Sequence, residues 1–226
     1  HTHTHTHTYT HTHSHIHAST ESFLCLVTEY ISGGDLKQYL KADRKIPVEL
    51  QFDLALAIAE GMLFLHRSNV IHRDLKPGNV LVRDFDSADV AVCDFGLSNV
   101  IGRESGGTVV DQAVRGTLAY AAPELASPVH DSKVDVFSFG MILWQMWERK
   151  VPWHDVPHMH EIPRRLQAGE RPALSPSCPY GAIIAKCWEA EPDRRPTFDA
   201  IHEMLNSTKE EVMEKLRMVD LRKLIA

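Results

Sequence analysis

Apolar residues recur at helical spacing along much of the chain, and this pattern predicts a mainly α fold. A long amphipathic helix is predicted from Pro47 to His66, because proline suits a first helical position and an apolar stripe follows it. The stripe consists of Leu50, Leu54, Ile58 and Leu65. Residues 134–147 are apolar nearly all round, which predicts a helix buried at the centre of a domain.

Shorter apolar runs predict a few strands. Residues 23–30 predict a buried strand, and residues 32–34 end it as a turn. Asp35 follows as the cap of a short helix that ends near Ala42. The apolar runs 80–82 and 90–92, which a polar turn rich in aspartate separates, predict a small β-hairpin.

The same pattern divides the chain into three segments. Residues 1–22 open with a His-Thr alternation that cannot bury apolar surface, so we predict a disordered low-complexity tail. Closely spaced imidazoles leave transition-metal binding as a second interpretation of this tail. Residues 23–206 predict one domain, in which the Gly- and Ser-rich stretch 94–122 is typical of a long functional loop. Residues 207–226 predict a separate last helix, because they open with the capping signature Ser207, Thr208, Glu210 and Glu211.

Composition and charge restrict the function further. The chain has 226 residues, of which 43% are hydrophobic, and this is enough for one sizeable core. A net charge of -6 argues against broad electrostatic binding to nucleic acid or to an anionic membrane surface. The 4 cysteines form no C-x-x-C pair, and no apolar run reaches the length of a membrane span. We therefore expect a cytoplasmic protein without a nucleic-acid or membrane partner.

Three sequence motifs carry the candidate chemistry. In chain order they are His72-Arg73-Asp74-Leu75-Lys76-Pro77-Gly78-Asn79, Asp94-Phe95-Gly96 and Ala122-Pro123-Glu124. Their order and separation resemble the protein kinase family, in which they form the catalytic loop, the metal-binding triplet and the end of the activation segment. The resemblance implies a mainly α, protein-kinase-like C-terminal lobe, a helical bundle with a small β-hairpin, and no N-terminal lobe within the chain.

The resemblance also implies which side chains perform phosphoryl transfer. In this reading Asp74 orients the substrate hydroxyl and accepts its proton, while Lys76 neutralises the transferring phosphoryl group. Asn79 and Asp94 hold Mg²⁺ on the phosphates of ATP. The reaction needs hard oxygen ligands, a cation and a proton acceptor, which these residue types provide. ATP and Mg²⁺ are therefore the expected cofactors, and protein substrates are the expected partners.

A nucleotide site is implied by the first strand and the hairpin. Thr28 resembles the gatekeeper of the family, and the backbones of Glu29 and Ile31 would bind adenine. Asp35 would then reach the ribose, and Leu81 would form the floor beneath adenine. For Glu29 and Ile31 an ordinary strand and turn is the alternative.

The motifs also indicate the acceptor. Leu75-Lys76-Pro77 resembles the serine/threonine kinases, and so does Thr117, which contacts the catalytic Asp and Lys in that class. An ordinary loop hydroxyl is the alternative for Thr117. Residues 186–188 and 194–198 resemble the tyrosine-kinase-like branch. The sequence therefore predicts a serine/threonine kinase of that branch.

Supporting residues follow from the same resemblance. Asp135 is expected to bind the backbone of the catalytic loop, and Glu124 is expected to pair with Arg195. An unpaired buried charge would be costly in such apolar surroundings. Structural roles are also implied for His72, Arg73, Phe95 and Gly96.

Regulation of the activation segment stays open. Ala113 occupies the position four before Thr117, where a regulatory phosphosite often lies in the family. Activation would therefore use Ser105 or Thr108, or need neither.

Two functions remain as alternatives. The Gly-rich phosphate loop and the V-A-I-K lysine of the family would precede Phe23, where only the His-Thr tract stands. The first hypothesis is a kinase whose activity needs more than these residues, so that the chain alone is inactive. The second is a noncatalytic docking or scaffold module. Self-association or a partner chain fits both, and the last helix either mediates it or packs on the lobe.

Overall fold

The computed structural model describes residues 15–18, 24–94, 99–100, 118–126 and 131–225. It divides the chain into two compact units, His1–Ser32 and Gly33–Ala226. In the second unit lie the helices α1 (Leu36–Lys41), α2 (Val48–Arg67), α3 (Lys133–Glu148), α4 (Ile162–Gln167), α5 (Gly181–Cys187) and α6 (Phe198–Ile225). The strands are β1 (His15–Ala18), β2 (Leu24–Val27), β3 (Val70–Ile71), β4 (Val80–Asp84), β5 (Asp89–Val92) and β6 (Asn99–Val100).

The described strands form antiparallel pairs only. In the first unit β1 pairs with β2, and in the second unit β3 pairs with β6 and β4 pairs with β5. The β4–β5 hairpin sets Val80 opposite Val92 and Val82 opposite Val90, as its two apolar runs predict. The predicted fold class, mainly helical with a small hairpin, is confirmed.

Helix α3 forms the centre of the core. Residues 134–146 are all buried, which matches an apolar pattern that continues around the whole helix. Helix α5 packs closely on α3 at Gly140, which has no side chain. A Cβ atom added there would lie only 2.8 Å from the Cβ of Cys187. Helix α2 packs on α6, and Lys209 donates to Asp53 at 2.5 Å across that contact.

Four sequence predictions about elements were wrong. β1 lies within residues 1–22, which were predicted to be a disordered tail; its sequence His-Ile-His-Ala alternates apolar and polar residues, a period that suits a strand. The strand predicted over residues 23–30 is β2 alone, and Thr28, Glu29 and Tyr30 are exposed beyond it. β6 lies in the stretch predicted to be a loop, where it pairs with β3.

The fourth error concerns the last helix. It was predicted to begin at Ser207, yet α6 is continuous from Phe198 and crosses the predicted boundary between residues 206 and 207. Ile201 and Leu205 are buried before the capping signature, and Val212 packs on the core after it. Because this packed stripe continues through the signature, tertiary contacts outweigh the local tendency to start a helix there. No helix in the described part of the chain is long and apolar enough to cross a membrane.

Candidate active site

The segment between β3 and β4 brings three of the predicted catalytic and metal-binding residues together. Asp74 is 7% exposed, and its Oδ2 accepts hydrogen bonds from Lys76 Nζ at 2.5 Å and from Asn79 Nδ2 at 3.0 Å. Asn79 Nδ2 also donates to the backbone oxygen of Asp74 at 2.8 Å, which a short 3-10 turn over Pro77–Asn79 makes possible. The other carboxylate oxygen, Oδ1, is buried and has no hydrogen-bond partner among the described residues. A buried acceptor left unpaired is costly, so this oxygen is set to receive a donor from outside the described contacts.

Asp135 binds the backbone of this loop through both of its carboxylate oxygens. It lies on α3, is fully buried, and its Oδ2 and Oδ1 accept from the backbone N–H groups of His72 at 2.9 Å and Arg73 at 2.8 Å. These are the backbone contacts that the resemblance implied for Asp135. The loop also contains a left-handed residue, since Arg73 has φ 69°, and backbone strain of this kind is common at functional sites.

His66 was missed by the sequence analysis. Its Nε2–H donates to Asp135 Oδ2 at 2.8 Å, so one carboxylate receives three donors. The only signal in the sequence was a polar ring at the end of an amphipathic helix, while its partner lies 69 residues away. The need of a buried aspartate for several donors was foreseeable, but not which residue would provide them.

The β4–β5 hairpin places Asn79 and Asp94 at one end. Cys93 N donates to the backbone oxygen of Asn79 at 2.9 Å, and His72 Nε2 donates to the backbone oxygen of Cys93 at the same distance. Asp94 follows directly, exposed and left-handed with φ 64°. Burial raises the pKa of the Cys93 thiol, and the nearby carboxylates of Asp94 and Asp35 raise it further. Phe95 and Gly96 lie outside the described residues.

This hairpin end suits a magnesium ion. The donors are the Asp94 carboxylate and the side-chain amide oxygen of Asn79, both hard oxygen ligands. Mg²⁺ is usually bound by one or two carboxylates, with water and phosphate oxygens completing the shell. The described residues contain no cluster of three or more His, Cys, Asp or Glu.

Of the predicted nucleotide residues, Asp35 and Leu81 are adjacent. They form an isolated antiparallel bridge, and Val82 N donates to the Gly34 oxygen at 2.9 Å beside it. The Asp35 carboxylate accepts from Gln38 N at 2.9 Å, which makes it the predicted cap of α1. Thr28, Glu29 and Ile31 belong to the other compact unit, where Thr28 and Glu29 are exposed and Ile31 is partly buried.

The end of the activation segment is fixed by a bidentate ion pair. Arg195 Nη1 donates to Glu124 Oε1, and Nη2 donates to Oε2 at 3.0 Å. The Arg195 side chain is 0% exposed, and its remaining donors reach backbone oxygens, including those of Glu189 at 2.9 Å and Lys133 at 3.0 Å. Its guanidinium also lies 5.0 Å from the ring centre of Phe137. The pair that the resemblance implied is therefore present, whereas Thr117 lies outside the described residues.

A second contact at this end was not foreseen. The Tyr120 hydroxyl donates to Gln145 Oε1 of α3 at 2.5 Å, and burial raises the pKa of Tyr120 well above its ordinary value. Ala119 and Ala122 are buried on either side. The end of this segment is thus attached to the same central helix that holds the catalytic loop.

Comparisons with known proteins agree with this geometry. A family profile described as "Protein tyrosine and serine/threonine kinase" matches residues 3–205. The chain is 39% identical over 194 residues to "Serine/threonine-protein kinase VIK" of Arabidopsis thaliana, covering 83% of this chain and 44% of that protein. It is 36% identical to "Serine/threonine/tyrosine-protein kinase HT1" of the same plant, covering 85% of this chain and 49% of HT1. It is 34% identical to human "Receptor-interacting serine/threonine-protein kinase 1", covering 79% of this chain and 29% of the relative.

The chain thus spans less than half the length of these three relatives. The matched residues include all three motifs together with Asp135 and Arg195. With a family profile over most of its residues and a relative at 39% identity, the chain belongs to the protein tyrosine and serine/threonine kinase family.

Proposed function

We propose that the protein transfers the γ-phosphate of ATP to serine and threonine hydroxyls of protein substrates. The observation that carries this proposal is the Asp74 carboxylate, with one oxygen tied to Lys76 and Asn79 and the other buried without a partner among the described residues. The unpartnered Oδ1 is suited to accept a hydrogen bond, and then the proton, from a substrate hydroxyl. Proton transfer to a positioned side chain contributes about 10² to 10⁴ in rate.

The neighbouring residues have distinct roles in this proposal. Lys76 contacts Asp74 Oδ2 and its side chain is 25% exposed, so its ammonium would be available to a phosphoryl group beside Asp74. Asn79 and Asp94 would hold Mg²⁺, which when bound offsets the charge of the phosphates. Asp135 keeps the loop backbone in place through His72 and Arg73. Phe95, Gly96 and Thr117 keep the roles implied by the resemblance as proposals.

ATP is proposed to bind beside the hairpin. Leu81 would lie under adenine, and Asp35, which the bridge holds next to it, would reach the ribose. For Thr28, Glu29 and Ile31 the adenine contacts that the resemblance implies stay predictions. Support for serine and threonine as acceptors comes from Leu75-Lys76-Pro77 and from relatives whose names include serine/threonine kinase.

The assignment of Asp74 is tested in a chimaera of residues 23–226 with the N-terminal part of the kinase domain of VIK, the 39% identical relative. Asp74→Asn should lower turnover at least 100-fold with an unchanged melting temperature, because the amide cannot accept the proton. Asp84→Asn is the matched control, since that carboxylate is exposed and accepts from Asp86 N within the hairpin turn. Equal turnover of wild type and Asp74→Asn would remove the proposed role, and mainly phosphotyrosine in the product would overturn the acceptor class.

A further inference from the structure

Phe198 lies in the motif Arg195-Pro196-Thr197-Phe198 and has no role in the chemistry described above. It is the first residue of α6 and is 1% exposed. Its ring centre lies 5.0 Å from that of His66 at an interplanar angle of 77°, and 5.4 Å from that of Phe139 at 72°. Near-perpendicular packing at these separations is the favourable arrangement for rings. The three rings therefore form a packed cluster between α2, α3 and α6.

The His66 ring in this cluster is joined to the catalytic loop. Its Nε2–H donates to Asp135 Oδ2 at 2.8 Å, and the same oxygen accepts from His72 N at 2.9 Å. The other oxygen of Asp135 accepts from Arg73 N at 2.8 Å. One carboxylate therefore binds both the imidazole and the loop amides, so the bond from His66 helps to hold Asp135 Oδ2 where it accepts from His72 N.

The position of Phe198 is itself fixed by its motif. Thr197 caps α6, since its Oγ1 accepts from Ala200 N at 3.3 Å and its backbone oxygen accepts from Ile201 N at 2.9 Å. Arg195, three residues before Phe198, is fully buried against Glu124. One short segment thus contacts the end of the activation segment on one side and the His66 ring on the other.

We propose that Phe198 is a positioning residue for the catalytic loop, acting through His66 and Asp135. Its ring holds the imidazole in the orientation that keeps Nε2–H on Asp135, and Asp135 in turn keeps the amides of His72 and Arg73 bound. The catalytic meaning of this loop rests on the proposed function, whereas the chain of contacts does not. The inference is therefore tested without an activity assay.

The measurement is amide hydrogen exchange of His72 and Arg73 in the folded 226-residue chain, followed by NMR. Phe198→Leu keeps an apolar side chain and removes the ring contact, so exchange of both amides should become about three- to tenfold faster. The matched control is Phe52→Leu, because Phe52 is also fully buried and packs edge-on against a ring, that of Tyr180 at 5.4 Å. Phe52→Leu should leave the two amides unchanged once global stability is taken into account.

A double-mutant cycle separates the relay from general loosening. In a His66→Leu background the bond to Asp135 is already lost, so adding Phe198→Leu should change the His72 and Arg73 exchange rates by less than about twofold. Phe198→Met replaces the leucine variant if the latter does not fold. An equal acceleration by Phe52→Leu, or a Phe198 effect that persists in full without the His66 imidazole, would overturn the proposal.

Discussion

At the scale of single residues, two buried aspartates of the site differ in how many of their carboxylate oxygens accept hydrogen bonds. Asp74 binds Lys76 and Asn79 through Oδ2 and leaves Oδ1 without a described partner, while both oxygens of Asp135 are occupied by donors. Both side chains are buried, so the difference comes from the hydrogen-bond donors around each carboxylate and not from its exposure to solvent. An aspartate saturated with donors fixes the backbone, and one with an unused oxygen is available for proton transfer.

Removing the Arg195 side chain should be costly, because it is buried in an ion pair with Glu124. Removing one partner of a buried ion pair typically costs about 3 to 5 kcal/mol, because the other charge stays uncompensated. Glu124 keeps 19% side-chain exposure, which places Arg195→Ala at about 3 kcal/mol, the lower end of that range. Urea unfolding measures the change.

The adjacent arginine provides the control for this prediction. Arg194 pairs with Glu191 at 2.7 Å, but both side chains are 67% exposed. Exposed pairs contribute about 0 to 1 kcal/mol, so Arg194→Ala should lie within about 0.5 kcal/mol of wild type. Similar unfolding midpoints for the two variants would show that the Glu124 pair is not buried in solution.

Buried thiols should make the fold sensitive to alkali. Burial raises the pKa of Cys187 from 9.0 to about 12. Below pH 9 the thiol is neutral in both states, and between pH 9 and 12 the unfolded chain ionises first, so stability falls as pH rises. The largest slope for one group is about 1.4 kcal/mol per pH unit.

A variant isolates the contribution of this thiol from those of other groups that titrate in the same range. Unfolding free energies of wild type and Cys187→Ala are compared at roughly pH 8.0, 9.5 and 10.5, values that lie below and above the ordinary pKa of a thiol. The loss between the first and last pH should be smaller in Cys187→Ala. Parallel pH profiles would contradict a raised pKa at this residue.

At the scale of elements, the sequence predicted what local pattern and turn chemistry determine. α2, α3, the β4–β5 hairpin and the Asp35 cap agree with prediction, because each has a strong periodicity or a cap of its own. β6 pairs with β3 over only two residues. It begins 28 positions after the end of β3, so no local sequence pattern reveals the pairing. The same holds for the start of α6, which packing against α2 decides.

The turn before α1 joins that helix to the hairpin through a close backbone approach. A Cβ atom at Gly33 would lie 2.1 Å from the backbone oxygen of Val82, which cannot move without disturbing β4. Gly33→Ala should therefore weaken the bond from Val82 N to the Gly34 oxygen and cost about 1 to 3 kcal/mol. Thermal unfolding measures the loss.

Gly78→Ala is the control for the turn, because no heavy atom of the described residues, its two chain neighbours aside, lies within 4 Å of the added Cβ atom. This variant should unfold within about 0.5 kcal/mol of wild type. If Gly33→Ala were equally harmless, the turn would not be packed against β4 as the structure has it.

At the scale of the whole molecule, one central helix organises the site. α3 carries Asp135, which binds the catalytic loop, Gln145, which binds Tyr120, and Lys133, whose backbone oxygen accepts from Arg195. The motifs were recognisable in the sequence, since each is a short run of chemically required residues. The resemblance implied the bonds of Asp135 to the catalytic loop and the pair of Glu124 with Arg195. It did not imply the contacts of Gln145 and His66, which bind across chain separations that carry no sequence signal.

The last prediction concerns residues 1–226 produced alone. The 226-residue sequence contains neither the Gly-rich phosphate loop nor the V-A-I-K lysine of the family, so the phosphates would be held only by Mg²⁺ and by groups of the described lobe. We expect weak binding of Mg-ATP, no measurable peptide phosphorylation and a tendency to self-associate. Calorimetric titration with Mg-ATP, light scattering and a peptide-phosphorylation assay measure the three properties on one preparation. Micromolar affinity together with turnover near the roughly 1 to 100 s⁻¹ that is usual for protein kinases would contradict the prediction.

The Asp94→Asn variant gives the control for the residual binding of Mg-ATP. If this binding depends on the proposed magnesium site, it should be lost in Asp94→Asn and kept in Asp84→Asn. Asp94 lies at the end of the hairpin beside Asn79, whereas Asp84 lies in its exposed turn.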